Sequence, residues 1–464
     1  WHLLFPVRSL LLLRDNFPYC NGIIRRQKSE PVENIDSRHY NDRKESGAPK
    51  ISCMRFWGQF ILEKKHCSYF SYFTDKSDSD NIYGGSTLYI LPEMYAFFVH
   101  IKFDFSALGL GVSAEKAIPV TDVKKAFGMT MHKSEGETKM AEKIREIQVT
   151  DIKGISIGHA QNADAGTGVT VLYFKNGARA GCDISGGGPA SRETPLTSSL
   201  TADNPVNAIV LSGGSAYGLA ASDGVMTCLE EHGIGYPTGL ALVPLVCQSC
   251  IYDLGYKSAK IRPDAAMGRE ATENALAGCD TRMGNIGAGC GATVGKLYGM
   301  GQSMKAGLGL HCIQVGSFQI GAIVVVNAAG DIYEAGTGKR LAGLLSADRK
   351  QPLDSVAEMC KCLVPHDQFT GNTTIGAVFT NAAFSKAELN KIASMTRNAY
   401  ARCISPVGTM ADGDSIYAAS IGSEKVDINV AGTLAASVMQ EAIRKAVESA
   451  RIPEEEFVAA VQNL

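Results

Sequence analysis

Glycine is spread unevenly along this chain, and the unevenness limits where a compact fold can lie. Of 49 glycines only nine precede residue 147: Gly22, Gly47, Gly58, Gly84, Gly85, Gly109, Gly111, Gly128 and Gly136. Glycine serves where backbones approach closely or where φ must be positive. The part before it holds both tryptophans, Trp1 and Trp57, a basic pair at Arg25-Arg26 and an aromatic cluster from Tyr69 to Phe73, with no sustained period. Met140-Ala141-Glu142-Lys143 reads like a natural protein start. Residues 1–139 are therefore expected to be an appendage, disordered or outside the functional protein, with a genuine extra domain as the alternative.

The 464 residues suffice for two or three domains, or for one large one. Basic and acidic residues nearly balance at 45 against 47, which points away from nucleic acid as a partner. Thirteen cysteines are scattered, and Cys247 and Cys250 form a CxxC with no second pair at zinc spacing. No metal is expected, and reduced thiols in a cytoplasmic protein are. Leu3 to Leu13 is broken by Arg8 and makes a poor signal peptide, and no apolar run is long enough for a membrane span.

From residue 147 strands and helices alternate. Thr167 to Phe174 and Ala178 to Ile184 are apolar runs joined by Asn176-Gly177, which predicts a hairpin. Asn207 to Leu211, Phe318 to Asn327, Asp331 to Glu334, Thr374 to Thr380 and Ser415 to Ser420 read as strands. Ala216 to His232 reads as a helix closed by Gly233, and a capping box at Ser385 and Glu388 opens a helix running to about Arg402. Asn429 to Glu448 is a long helix with small residues on one face. Hairpins mixed with helices argue for an α+β sandwich rather than a doubly wound parallel sheet.

Two segments carry chemistry. Gly371-Asn372-Thr373-Thr374-Ile375 places a hydroxyl straight after a Gly-Asn turn and before a strand. Strained backbone before Ser, Thr or Cys is what self-cleavage needs, and the released Thr373 would carry its own base as an α-amine. Asp412-Gly413-Asp414 sets two carboxylates two residues apart, on one face of an extended backbone. Such a pair repels, so one pKa should rise and the two should titrate together. Gly287 to Lys296 fails as a phosphate loop, because Cys290 and Leu297 stand where Gly and Ser or Thr are needed. Its glycines fit close backbone approach around a site, which draws attention to Lys296. No histidine after residue 147 lies in a nucleophile-elbow context, and Leu211-Ser-Gly-Gly-Ser215 lacks that spacing.

Five ordered blocks together resemble the DmpA-like aminopeptidases, the L-aminopeptidase/D-esterases, and within them the nylon-oligomer (6-aminohexanoate oligomer) hydrolases. The blocks are Leu211 to Leu219, Gly287 to Lys296, Val324 to Asn327, Gly371 to Ile375 and Asp412 to Asp414, within a resemblance that covers about residues 147 to 450. The resemblance implies an α/β/β/α four-layer sandwich of the DmpA/ornithine-acetyltransferase type, made as one precursor that cleaves itself. Cleavage between Asn372 and Thr373 would divide an α part, 140–372, from a β part, 373–464. The resemblance further implies Thr373 as nucleophile, with Asp412, Asp414, Lys296, Asn327 and Tyr252 completing the site. It implies small peptides or amides as substrates, no cofactor, no metal, no membrane and a homo-oligomer of αβ units. Ser185 stands where relatives often have Arg, and Thr with two Asp replaces the Ser nucleophile and Ser-Glu pair of the β-aminopeptidase branch. The rival readings are an acetyltransferase of the ornithine type, whose Ala-Thr-Met-Leu context is missing here, and an uncleaved, non-catalytic protein.

Overall fold

A computed structural model describes residues 143–361, 363 and 371–462, and the backbone of two further strands, Phe56–Ile61 and Cys67–Tyr72. The chain divides into two units, Trp1–Glu135 and Gly136–Leu464. In the first, the two strands pair antiparallel, with Phe56 opposite Tyr72. The expectation for residues 1–139 otherwise lies outside the described residues.

Among the described residues, ten hydrogen-bonded strands make the main framework of the second unit: β1 (Arg145–Ile147), β2 (Ile155–Asn162), β3 (Thr167–Ile184), β4 (Ala190–Arg192), β5 (Val206–Ser212), β6 (Val246–Cys250), β7 (Leu308–Val315), β8 (Phe318–Val325), β9 (Ile375–Ala382) and β10 (Ser415–Glu424). Their order is β1-β7-β8-β9-β10-β3-β5-β6-β4, with β2 also paired to β3. The pairs β9–β10 and β5–β6 are parallel, and the others are antiparallel.

Strand β3 decides the architecture, and it corrects the hairpin expectation. The two runs around Asn176-Gly177 do not fold back on each other but form one 18-residue strand. Gly177 takes φ +71°, and the register shifts there instead of turning. The first half pairs with β2 and β5, and the second half pairs with β10. Both halves are apolar and each finds its own partners, so tertiary pairing overrides the local turn signal. One strand thereby belongs to two sheets.

Alternation along the strands makes three apolar seams. Ala208 and Val210 of β5 face helices α1 (Ala221–Glu231) and α2 (Ala265–Ala277), through Val225, Leu229, Ala271 and Ala275. The next residues, Ile209 and Leu211, face the opposite sheet, where Ile323, Ile375, Phe379 and Tyr417 meet them. The other face of that sheet, with Val324, Val378 and Ala418, packs on α3 (Lys386–Cys403) and α4 (Ile428–Glu448). The layers are therefore helix, sheet, sheet, helix. The small face expected on α4 is buried, with Ala431, Gly432, Ala435, Ala442 and Ala446 turned inward. The capping box forms at Ser385 and Glu388, and α3 starts at Lys386.

One buried group sets a pH limit on this fold. His159 of β2 is 4% exposed, shares a hydrogen with Thr170 Oγ1 at 2.9 Å, and its Nε2 has no partner among the described residues. Burial pushes its pKa down to about 4 from an ordinary 6.5. The folded state therefore disfavours protonation. Stability is full above about pH 6.5, falls as the unfolded chain takes up the proton, and levels off below about pH 4. The loss is on the order of 3 kcal/mol, at 1.36 kcal/mol per pH unit. Urea midpoints from pH 7.5 to 4 should fall in that window, and the fall should shrink in His159→Leu.

Candidate active site

The ends of several strands converge at one edge of the sandwich. Thr373 lies two residues before β9, and Asp414 stands immediately before β10. Asn327 lies two residues beyond β8, and Tyr252 two beyond β6. Because β8 runs antiparallel to β9, the end of one meets the start of the other. Because β9 and β10 are parallel, their starts lie side by side. The topology therefore gathers residues up to 162 positions apart (414 − 252).

The β9–β10 ladder continues past both strands. Asn372 bridges to Asp412 in parallel, and Ser415 N–H donates to Thr374 O at 3.1 Å. The rung before it is Gly413 N–H donating to Asn372 O at 2.9 Å. Thr373 Oγ1 donates to the same oxygen. The carbonyl of the Asn372–Thr373 bond thus holds both the hydroxyl that could attack it and an N–H that could carry its negative charge. Gly413 has to lack a side chain, since a Cβ there would stand 2.7 Å from Thr373 Oγ1. Sequence reasoning missed Gly413, although its place between two singled-out aspartates was the available signal.

Lys296 is buried at 4% exposure and is no surface lysine. Its Nζ donates to Asn327 O at 2.9 Å and to Gly371 O at 3.1 Å. Thr373 N–H donates to that same Asn327 oxygen at 2.9 Å. The Asn327 side chain is held at both ends: Oδ1 accepts from Thr293 N–H and Nδ2 donates to Tyr252 O, each at 3.0 Å. The Tyr252 ring packs on Gly371 so closely that a Cβ there would lie 2.1 Å from it. All six sequence-derived site residues, with Asn372, therefore meet in one place.

The two carboxylates are fixed by backbone donors. Asp414 Oδ1 accepts from Thr374 N–H at 2.6 Å and Oδ2 from Gly408 N–H at 3.0 Å. Asp412 Oδ2 accepts from the Thr409 N–H and hydroxyl, both at 2.7 Å. The segment Ser185 to Gly188 cradles the pair, with Ser185 and Gly186 donating to Asp414 O and Gly188 to Asp412 O. Burial, and then the Asp412 charge beside it, pushes Asp414 up to about 7. Burial pushes Lys296 down to about 7, against the pull of Asp412, Asp253 and Asp414. The site is thus a buried hydroxyl among groups that exchange protons near neutrality.

This arrangement has known relatives. Residues 148–456 match peptidase family S58. The chain belongs to that family. It is an amide-bond hydrolase of the DmpA type. An uncharacterized aminopeptidase of Mycobacterium tuberculosis is 36% identical over 291 residues, covering 60% of this chain and 82% of the relative. A 6-aminohexanoate-oligomer endohydrolase of Agromyces is 34% identical over 320 residues, covering 65% and 86%. Among solved structures, the L-aminopeptidase D-Ala-esterase/amidase of Ochrobactrum anthropi aligns with a TM-score of 0.51 at 16% identity, covering 70% of this chain and 96% of that one. At that identity the likeness carries the fold, a variant of the Ntn-hydrolase sandwich, and the S58 chain shares it. No helix among the described residues is long and apolar enough to cross a membrane.

Proposed function

We propose that this S58 chain is a precursor that cuts itself between Asn372 and Thr373 and then hydrolyses small amides with the Thr373 hydroxyl. The observation that carries the reading is the Asn372 carbonyl oxygen, which accepts from both Thr373 Oγ1 and Gly413 N–H. In self-cleavage Oγ1 attacks the Asn372 carbonyl carbon. The C–N bond breaks, the Thr373 nitrogen takes the hydroxyl proton, and an ester remains. Water hydrolyses the ester to an Asn372 carboxylate and a free Thr373 with its α-amine.

In turnover the α-amine takes the Oγ1 proton, and Oγ1 attacks a substrate amide. The leaving amine departs with that proton, and water releases the acid. Gly413 N–H is the oxyanion donor in both steps, because the same Oγ1 must meet both carbonyls; such a donor is worth about 3 kcal/mol. Asn327, Lys296 and Tyr252 fix the geometry, and Asp412 and Asp414 hold the α-ammonium formed during attack. The substrates are small peptides or ω-amino-acid oligomers, the classes named for the relatives. We place the enzyme in the cytoplasm as a homo-oligomer of αβ units; nine unpaired cysteines among the described residues agree with a reducing compartment.

Two measurements on the purified full chain test this. A denaturing gel should give two bands, and Edman sequencing of the smaller should begin at Thr373, a β chain of 92 residues (464 − 373 + 1). An amino-acid p-nitroanilide or a 6-aminohexanoate oligomer should then be hydrolysed. One uncut band, or another first residue, rejects the reading. Transfer of acetyl to an amino-acid acceptor in place of water would favour the acetyltransferase.

The domain proposal has its own test. Deleting residues 1–139 should leave a soluble chain that cuts itself and turns over at the full-length rate, since the family match starts at residue 148. Loss of soluble expression or of cleavage would show that the leading segment belongs to the fold.

A further inference from the structure

Beside this machinery lies a third buried carboxylate that it does not use. Asp253 follows Tyr252 directly and is 4% exposed. Its Oδ2 accepts from Thr167 Oγ1 at 2.7 Å, and its Oδ1 accepts from Gly214 N–H at 2.6 Å. Gly213 leaves room for it, since a Cβ there would stand 1.9 Å from Oδ2. On another side it packs on Gly291, in the glycine block that leads to Lys296. One side chain thus ties together the start of β3, the loop after β5 and the residue that follows Tyr252.

Two hydrogen bonds alone do not call for a charge. An amide could make similar contacts without the cost of burying a carboxylate. The charge has two buried ammonium groups to act on. Lys296 Nζ bonds the Asn327 and Gly371 carbonyls rather than a carboxylate, and the charges of Asp412, Asp253 and Asp414 act on it through space. Lys305 donates to Gly289 O at 3.2 Å and to Ala292 O at 2.9 Å, pinning the glycine block, and it is faced by Cys290, Asp253 and Lys257. The precursor thus holds three buried carboxylates near two buried lysines, and a free Thr373 amine would supply a third cation.

We propose that Asp253 is a positioning residue of the hydrolytic site, whose carboxylate stabilises the Lys296 ammonium while its hydrogen bonds fix the chain that carries Tyr252. This rests on the self-cleaving hydrolase reading. Burial pushes Asp253 up to about 6, so it is ionised at neutral pH and able to act on Lys296.

The test compares full-length wild type, Asp253→Asn and Asp253→Glu from pH 5 to 9.5, for self-cleavage and for p-nitroanilide hydrolysis. Asp253→Asn should lower the rates at least ~10-fold and move the alkaline limb down by about half a pH unit, because Lys296 has lost one of its carboxylates. Asp253→Glu should return the limb to its place even where the rate stays low. Unmoved limbs in Asp253→Asn, whatever its Tm, mean a purely structural residue and overturn the proposal. If Asp253→Asn is insoluble, Thr167→Val is measured instead. It removes one donor to the carboxylate, so the acidic limb should move up, and an unmoved limb again overturns the proposal. A wild type that never cleaves removes the hydrolase reading itself, whereas a cleaving wild type with an unmoved Asn variant removes only the role of Asp253.

Discussion

Thr373→Ala yields one uncut chain of 464 residues with amide hydrolysis lower by at least ~10⁴-fold, while Thr373→Ser still cuts at the same bond. The alanine variant loses the hydroxyl that donates to the Asn372 carbonyl and is proposed as the nucleophile of turnover. Serine keeps that atom and loses a methyl, which faces the space beside Gly413 where a Cβ would lie 3.2 Å from it. Its cut should therefore be slower but in place. The neighbouring threonine is the control. Thr374 is fully buried, and its hydroxyl has no partner among the described residues. Thr374→Val should still process before residue 373. A denaturing gel with Edman sequencing reads all three variants. A cut that survives in Thr373→Ala would assign the nucleophile elsewhere.

Asp412→Asn and Asp414→Asn should each lower amide hydrolysis by at least ~100-fold in fully processed enzyme. Each keeps the shape and removes the charge that is proposed to hold the α-ammonium. The stability cost should be small by comparison, and the sign can be worked out for Asp414. Its pKa lies near 7 in the fold against an ordinary 3.8, so ionisation is penalised in the folded state. That penalty is absent at low pH and grows as pH rises from about 4 to about 7. Asparagine escapes the penalty but turns an N–H donor towards Thr374 or Gly408, where the carboxylate accepted from both. The two effects oppose each other. Asp412→Asn is the cleaner variant, because one oxygen suffices for both donors from Thr409. Turnover on a p-nitroanilide and a 6-aminohexanoate oligomer, beside Tm, reads the split. Near-wild-type turnover in both processed variants would remove the pair from the site.

Sequence alone determined a good deal. The helix starting at Lys386 was legible because a capping box is a local device. The strand after Thr374 was legible as an uninterrupted apolar run. Thr373, Asp412 and Asp414 stood out as candidates because glycine and asparagine before a hydroxyl, and two acids flanking a glycine, are unusual local patterns, whereas Asn327 and Tyr252 came only with the family resemblance.

Tertiary structure decided the rest, for one physical reason: the remaining facts are pairings between distant residues. Asn176-Gly177 has the chemistry of a hairpin turn, but the halves around it pair with β2, β5 and β10, so the strand runs on and joins two sheets. Lys296 stands out in the sequence only by following a glycine block, and its burial against the Asn327 and Gly371 carbonyls exists only in the fold. Gly413 carries no side chain to read, and its N–H matters only because the β9–β10 ladder reaches one rung beyond the strands to the Asn372 oxygen. Asp253 is an unremarked neighbour of Tyr252 in the chain, and only folding closes Thr167 and Gly214 around it. A sequence displays chemistry that lies within a few residues, whereas distance, burial and shared partners exist only after the chain has closed on itself.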